Sequence, residues 1–360
     1  MKKAKYNILF TSCFSSLRGG GQRSLYLLIK HLDKERFTPF LIVPGRDELS
    51  EEITKSGVKI FVLPFPRIRS FNLFLTVSRL INLWRIIKKE RIDLIHTESP
   101  RETFYAALAG KLCRLPVILH LRVSDSFLWL DRILFNIADS MIAVSQSAAN
   151  RFKLIDKKDK IRVVYNGVEL DMFRPLTKYE DNEFLRIGYF GRVEKRKGIE
   201  VLVRAVSRLS EKVELIIMGD GDRQYLEELK SLSVNTNVVF KDYKRDILDD
   251  IAAVDVVVLP SFKGEGLSRI IIESMAMGKT VIASDLSANK EALGEDLKEF
   301  LFPAGDDLEL ASIIEKIIKN RQILRDMREK VRSRAEHFFD IKKNTKEIEK
   351  LYNSLMAVSQ

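Results

Sequence analysis

Apolar residues along this chain change their spacing at short intervals. Compact runs of β-branched and aliphatic residues, such as Leu94 to Thr97 and Val256 to Leu259, alternate with longer stretches whose apolar positions recur at i, i+3 and i+4. Short continuous apolar runs fit strands covered on both faces, and the helical stretches between them fit the crossover connections of a parallel sheet. The pattern predicts strands at residues 7–11, 38–43, 59–63, 94–97, 117–121, 141–144 and 162–165. Helices are predicted between them at 24–31, 49–55, 73–89, 102–112, 131–137 and 147–153. Between residues 166 and 182 the alternation breaks into Asn166-Gly167, Arg174-Pro175 and a polar run, which is turn and linker chemistry. It then restarts, with strands predicted at 186–190, 214–218, 238–241, 256–259, 281–283 and 299–302 and essentially helical chain from Asp307 onward.

The fold class is therefore α/β, with two Rossmann-like, doubly wound domains facing across a cleft. The first is expected over residues 1–170 and the second over 183–340. The helix at 341–360 is expected to cross back to the first domain.

Length and composition agree with this division. The chain has 360 residues, 46% hydrophobic and 31% charged, enough for two moderate cores and unlike a disordered chain. Charge interrupts every apolar run well before the roughly 18 residues a spanning helix needs, so neither a transmembrane helix nor a cleaved signal is expected. Cys13 and Cys113 make no disulfide framework or zinc spacing. A cytoplasmic protein without structural metal is the expectation. The net charge of +11 is uneven: residues 1–170 carry 29 Lys and Arg against 16 Asp and Glu, or +13, and the remainder −2. A nucleic-acid-binding protein and an enzyme held on anionic lipid both fit such an asymmetry.

Three loops carry candidate chemistry, each after a predicted strand and before a predicted helix. Gly19-Gly20-Gly21 would open backbone N–H groups to an anion at a helix N-terminus, although a flexible turn has the same composition. The run from Gly188 to Gly198 places Arg192, Lys195, Arg196 and Lys197 at the mouth of a sheet, a diphosphate clamp or a solvated basic loop. In the run from Leu259 to Lys279, Glu265 lies in a Gly-rich turn and Glu273 in the following helix, and they flank Gly266, Leu267 and Ser268. Carboxylates do not bind phosphate, so these two suit the hydroxyls of a sugar or ribose.

Taken in order with Val144-Ser145-Gln146-Ser147, Asn166-Gly167-Val168-Glu169, Phe173-Arg174-Pro175 and Met218-Gly219-Asp220-Gly221, these loops make the chain resemble a family-4 glycosyltransferase of the GT-B fold over nearly its whole length. Glu265 and Glu273 match the E-x7-E motif of that fold's retaining enzymes. The resemblance implies that the second domain holds a nucleotide diphosphate sugar. Arg192 and Lys197 would neutralise the diphosphate in place of a metal ion, with no other cofactor needed. Glu273 would accept from the ribose and Glu265 would hold the transferred sugar. Gly191, Gly266, Leu267 and Ser268 would support donor phosphate and sugar, and Gly20 and Gly21 would close on the diphosphate. His120, at the end of a predicted strand, would orient the sugar and stabilise developing positive charge. His96 and Arg122 would meet the acceptor, a glycan or a lipid-linked one, and the run Glu265-Gly266-Leu267-Ser268-Arg269 is similar to that of members acting in cell-envelope polysaccharide synthesis. Asp242 departs from the family's usual glycine, and Ser287-Ala288-Asn289 from its usual turn.

Absence of a nucleophilic carboxylate favours same-face displacement through an oxocarbenium-like state. An epimerase or hydrolase of the same fold is the alternative enzyme. Nucleic acid is not an expected partner, because no recognisable module is present. The stretch from Phe65 to Lys89 mixes large apolar residues with positive charge alone. Leu73, Phe74, Val77, Leu80, Ile81 and Trp84 are expected to face the core, leaving Ile68, Phe71 and Leu75, with Arg67 and Arg69, for an anionic membrane surface.

Overall fold

The computed structural model describes residues 5–66, 72–122, 128–155, 159–175, 183–209, 213–234 and 236–358. It divides the chain into two compact units, Met1–Gly167 with Ile341–Gln360, and Val168–Asp340.

The first unit is built on seven parallel strands: β1 (Tyr6–Thr11), β2 (Phe37–Val43), β3 (Lys59–Val62), β4 (Leu94–Thr97), β5 (Val117–Leu121), β6 (Ser140–Ala143) and β7 (Ile161–Val163), in the order β3-β2-β1-β4-β5-β6-β7. Strand β4 and strand β5 are buried at every position, which is why they read as unbroken apolar runs. Alternate residues of β1 serve opposite faces: Ile8 and Phe10 join one core, Leu9 the other. Helices α1 (Gly20–His31) and α14 (Ile341–Val358) pack together over the first core, to which α14 contributes Ile348, Leu351, Tyr352 and Met356. The returning helix is tied down by the Asp33 amide donating to Glu349 at 2.7 Å and by Arg36 donating to Asn353 at 3.0 Å. Gly167 approaches Ile341 so closely that a Cβ there would collide with its backbone, so glycine is required where the chain leaves and re-enters this unit.

The second core lies under α3 (Leu73–Lys89) and α4 (Pro100–Cys113), and α4 also packs against α5 (Leu128–Ile137). Helix α3 corrects one expectation. Its inward face is Thr76, Leu83 and Ile87, with Leu80 half-buried, whereas Leu73, Phe74, Val77, Ile81 and Trp84 are exposed. The sequence carries two apolar stripes about a quarter-turn or more apart, and periodicity alone does not say which one meets the sheet. The inner stripe fills the space left by Leu63, Phe65 and Tyr105. Arg67, Ile68, Arg69 and Phe71 lie outside the described residues.

The second unit repeats the plan with six parallel strands, β8 (Leu185–Phe190), β9 (Val213–Met218), β10 (Val238–Lys241), β11 (Val256–Leu259), β12 (Thr280–Ser284) and β13 (Leu301–Phe302), in the order β10-β9-β8-β11-β12-β13. The last strand is shorter than expected, because Glu295–Phe300 forms tight helical turns instead. Strand order reverses between β1 and β4 in the first unit and between β8 and β11 in the second. Ligands of open α/β sheets bind beyond the strand ends at such reversals. The three candidate loops follow β1, β8 and β11.

Candidate active site

In the second unit two loops are stapled together at the strand reversal. Past β8, the Gly191 amide donates to Met218 and the Val193 amide to Asp220, at 3.0 and 2.9 Å, and the Tyr189 hydroxyl donates to the Arg192 carbonyl at 2.8 Å. Lys195–Lys197 then makes one tight turn that ends at Gly198, whose φ of +62° and contact with the Pro260 carbonyl leave no room for a Cβ. The Phe262 amide donates to the Arg196 carbonyl at 2.9 Å. This close seam is what brings Lys197 to Glu265.

Lys197 and Glu265 form an ion pair, both largely buried. Ser261 Oγ donates to the same carboxylate oxygen of Glu265 at 2.7 Å, and Ser284 Oγ donates to the Ser261 carbonyl at 2.6 Å. Beyond Gly266, Leu267 and Ser268, helix α10 (Arg269–Ala276) is buried along its whole length. The Ser268 side chain does not cap it. Glu273 stands one turn inside, its carboxylate accepting from Arg269 Nε and Nη2 at 3.0 and 2.6 Å, with both residues buried. Arg192 is half-exposed and meets Glu194 at 2.7 Å. Lys195 pairs with Glu228 and Arg196 with Glu194. Of the four cations in this loop, Lys197 is the one drawn furthest in.

The first unit gathers a different set. Gly20 opens α1, Ser24 Oγ donates back to its carbonyl at 2.9 Å, and a Cβ at Gly21 would lie 3.2 Å from the Arg122 side chain. Arg122 donates Nε to Glu98 at 2.7 Å, pairs with it again through Nη2, and donates Nη1 to Asn166 at 3.0 Å. Burial pushes the Glu98 carboxyl above its usual range, with Arg122 partly opposing, and Glu98 Oε2 has no partner among the described residues. His120 lies buried near the end of β5, with its Nδ1 3.1 Å from His96 Nε2. His96 is fully buried among Phe10, His120 and Tyr352, and both its ring nitrogens are taken. That setting offers no surface to an acceptor, so His96 belongs to the support of His120.

Of the expected residues, the structure joins Lys197 to Glu265 in the second unit, and His120 to His96 and Gly21 to Arg122 in the first. Sequence reasoning missed Ser261, Arg269, Glu98 and Tyr352. Arg269 was visible as the i, i+4 partner of Glu273, whereas Tyr352 is 256 residues from the histidine it touches.

Comparison with known families agrees with this layout. The model described as Glycosyltransferase Family 4 matches residues 18–172, and that described as Glycosyl transferases group 1 matches residues 185–320. This chain belongs to the family-4 glycosyltransferases. Among relatives of this family-4 glycosyltransferase, the UDP-Gal:alpha-D-GlcNAc-diphosphoundecaprenol alpha-1,3-galactosyltransferase of Escherichia coli is 24% identical over 380 residues, covering 95% of each chain. The capsular polysaccharide biosynthesis glycosyltransferase CapM of Staphylococcus aureus is 23% identical over 325 residues, 82% of this chain and 85% of that protein. The same fold is seen in HepE of Anabaena, solved with UDP and glucose, at a TM-score of 0.83 and 22% identity over 96% of this chain and 99% of that one. A glycosyltransferase from Rickettsia africae superposes at a TM-score of 0.86, with 22% identity over 98% of this chain and 99% of that one. Both structures share the paired Rossmann-like organisation of the GT-B fold.

Proposed function

We propose that this glycosyltransferase moves a sugar, with retention and without a metal ion, from a uridine diphosphate sugar to a lipid-linked glycan of the cell envelope. The observation that carries the reading is the buried Lys197–Glu265 pair joining the loops after β8 and β11, with the buried Arg269–Glu273 pair in the helix that follows β11, set where the strand order of the second unit reverses. Lys197 and Arg192 supply positive charge for the departing diphosphate, the electrostatic duty a metal ion performs elsewhere. Glu265, held by Ser261, accepts from hydroxyls of the transferred sugar, and Glu273 accepts from the ribose. Gly191, Gly266, Leu267 and Ser268 line the same strand ends. In the first unit, Gly20 and Gly21 offer backbone donors to a phosphate at the start of α1, Arg122 is kept for the acceptor, and His120 orients a sugar. The choice of uridine and of a lipid-linked acceptor is supported by what the Escherichia coli and Anabaena proteins are described as using.

The acceptor's carrier explains a surface that packing does not. The outward stripe of α3 presents Leu73, Phe74, Val77, Ile81 and Trp84, with Arg85 and Lys88 also exposed. Lys111 on α4 and Arg132 on α5 are exposed, while the acids of these two helices, Glu102 and Asp131, are buried. Apolar and basic groups without exposed acid suit an anionic bilayer, so the enzyme works as a peripheral protein at that surface. Among the described residues no helix is long and apolar enough to cross a membrane.

The test is transfer by purified protein from a panel of nucleotide sugars to a polyprenyl diphosphate glycan, with the product's anomeric configuration read by NMR. Retained configuration and indifference to EDTA are expected. An inverted product, or EDTA-sensitive activity restored by magnesium, sinks the mechanism.

A further inference from the structure

Three rings form a buried chain at the ends of β4 and β5. The Tyr352 hydroxyl, carried on α14, lies 2.6 Å from His96 Nδ1, and His96 Nε2 lies 3.1 Å from His120 Nδ1. The tyrosine ring is held edge-on against Phe37 at 5.7 Å and against His96 at 5.8 Å, and Phe10 lies tilted against the same His96 ring at 5.1 Å. Burial and the neighbouring Arg122 bring the His96 ring down to about 3 and hold His120 well below its usual range, so both imidazoles are neutral. Burial likewise keeps the Tyr352 hydroxyl protonated.

A neutral imidazole has one N–H and one bare nitrogen, so a chain of such rings has a direction. The tyrosine hydroxyl owns the only hydrogen at its end of the chain, and His96 Nδ1 is its hydrogen-bond partner among the described residues. Reversed, the chain would leave two buried groups unmatched, the tyrosine hydrogen and a bare His120 Nε2, whereas the forward sense leaves the His120 Nε2–H alone, so the reversed chain carries the larger desolvation cost. We infer that Tyr352 is a positioning residue that sets this direction: it donates to His96 Nδ1, which places the His96 proton on Nε2. That proton is donated to His120 Nδ1, which in turn places the His120 proton on Nε2. His120 Nε2 is buried and without a partner among the described residues.

The inference rests on the transferase reading and deepens it. His120 presents Nε2 as a neutral hydrogen-bond donor to an oxygen of a ligand bound at the strand ends of the first unit. It does not serve as a base, because its other nitrogen is occupied by the His96 proton. No proton is transferred along the chain. The C-terminal helix thus fixes the chemical sense of a residue on β5.

The experiment uses the full-length protein labelled with 15N histidine. Nitrogen shifts distinguish bare from protonated ring nitrogens. The chain has four histidines, and a His96→Gln spectrum assigns the relevant signals. Wild type is expected to show bare Nδ1 and protonated Nε2 in both His96 and His120. In Tyr352→Phe, which keeps the ring and loses the donor, both residues should become mixtures of tautomers. The same variant should lose about tenfold in kcat with little change in the donor KM, as one lost hydrogen bond in the transition state dictates. A wild-type spectrum with Nδ1–H in either ring overturns the inference whether or not Tyr352→Phe folds, as does a variant with wild-type tautomers and kcat. Correct tautomers in a protein that transfers no sugar would leave the oriented hydrogen-bond chain standing and refute the transferase reading instead.

Discussion

The two units stabilise their polar clusters in opposite ways. In the second, Glu265 with Lys197 and Glu273 with Arg269 are charges neutralised by charges. In the first, His96 and His120 are neutral rings held by directional hydrogen bonds, with the Arg122–Glu98 pair beside them. The difference teaches what each can do when a ligand arrives. An ion pair has no fixed sense, so Lys197 can share its charge between Glu265 and an incoming phosphate. A chain of neutral rings keeps its sense and can only accept a ligand that matches it.

The largest effect should come from removing one half of a buried pair. Lys197→Ala leaves Glu265 buried without its cation, which should cost about 3–5 kcal/mol in chemical denaturation and reduce transfer by about 100-fold or more. Arg192→Ala should reduce transfer comparably while leaving stability within about 0.5 kcal/mol, because its partner Glu194 is only partly buried and the arginine is half-exposed. Equal destabilisation by both would break the contrast between an inner and an outer cation.

The neutral cluster should reveal itself through pH. The native histidines stay uncharged well below pH 6.5, whereas in the unfolded chain each takes up a proton near that value. Below it the unfolded state binds more protons, so stability must fall as pH falls. Between pH 7.5 and 5.5 the two rings together should remove about 2–3 kcal/mol. A His96→Gln, His120→Gln protein should lack that share of the slope. The raised carboxyl of Glu98 works in the opposite sense and is common to both proteins, so the difference between their urea midpoints isolates the imidazoles.

Within the charged cluster the two carboxylates should separate kinetically. Glu273→Gln should raise the donor KM by about tenfold, since ribose contacts are made equally in ground and transition states. Glu265→Gln should lower kcat, since contacts to the departing sugar strengthen as it leaves. Wild-type kinetics in both would remove the carboxylates from the site.

The smallest effect concerns the outer surface of α3. Replacing Arg85 by glutamine should weaken binding to anionic liposomes at low salt by about fivefold, at roughly 1 kcal/mol per basic residue. Replacing Phe74 and Trp84 by serine should weaken it further without destabilising the fold, because both side chains are already exposed. Wild-type protein that ignores such liposomes at every salt concentration would leave that surface unexplained.

Strand positions were legible wherever an apolar run is covered on both sides and bounded by turn residues, as at β4, β5 and β11, whose limits match the sequence reading. The span of α3 was equally legible, but its facing was not, because two apolar stripes competed for one core. The loops after β8 and β11 announced themselves by glycine next to charge. Their internal pairing did not, since Lys197 and Glu265 lie 68 residues apart and meet only through the tight approach of Gly198 to Pro260. Tyr352 carried no local signal, because a tyrosine in an amphipathic helix is ordinary until the fold puts a histidine against it.

Helix α14 also imposes a timetable. A ribosome makes all 173 residues from Val168 to Asp340 before it reaches the segment that supplies Ile348, Leu351, Tyr352 and Met356 to the first core. At about 5–20 residues per second, the nascent first unit waits roughly ten to thirty seconds with that apolar face open. The second unit can finish first although it is begun later, and the interval is long enough for a holding chaperone to bind the exposed face of α1. Among these late arrivals is the tyrosine that orients the histidines, so the enzyme stays chemically unfinished until α14 closes the core.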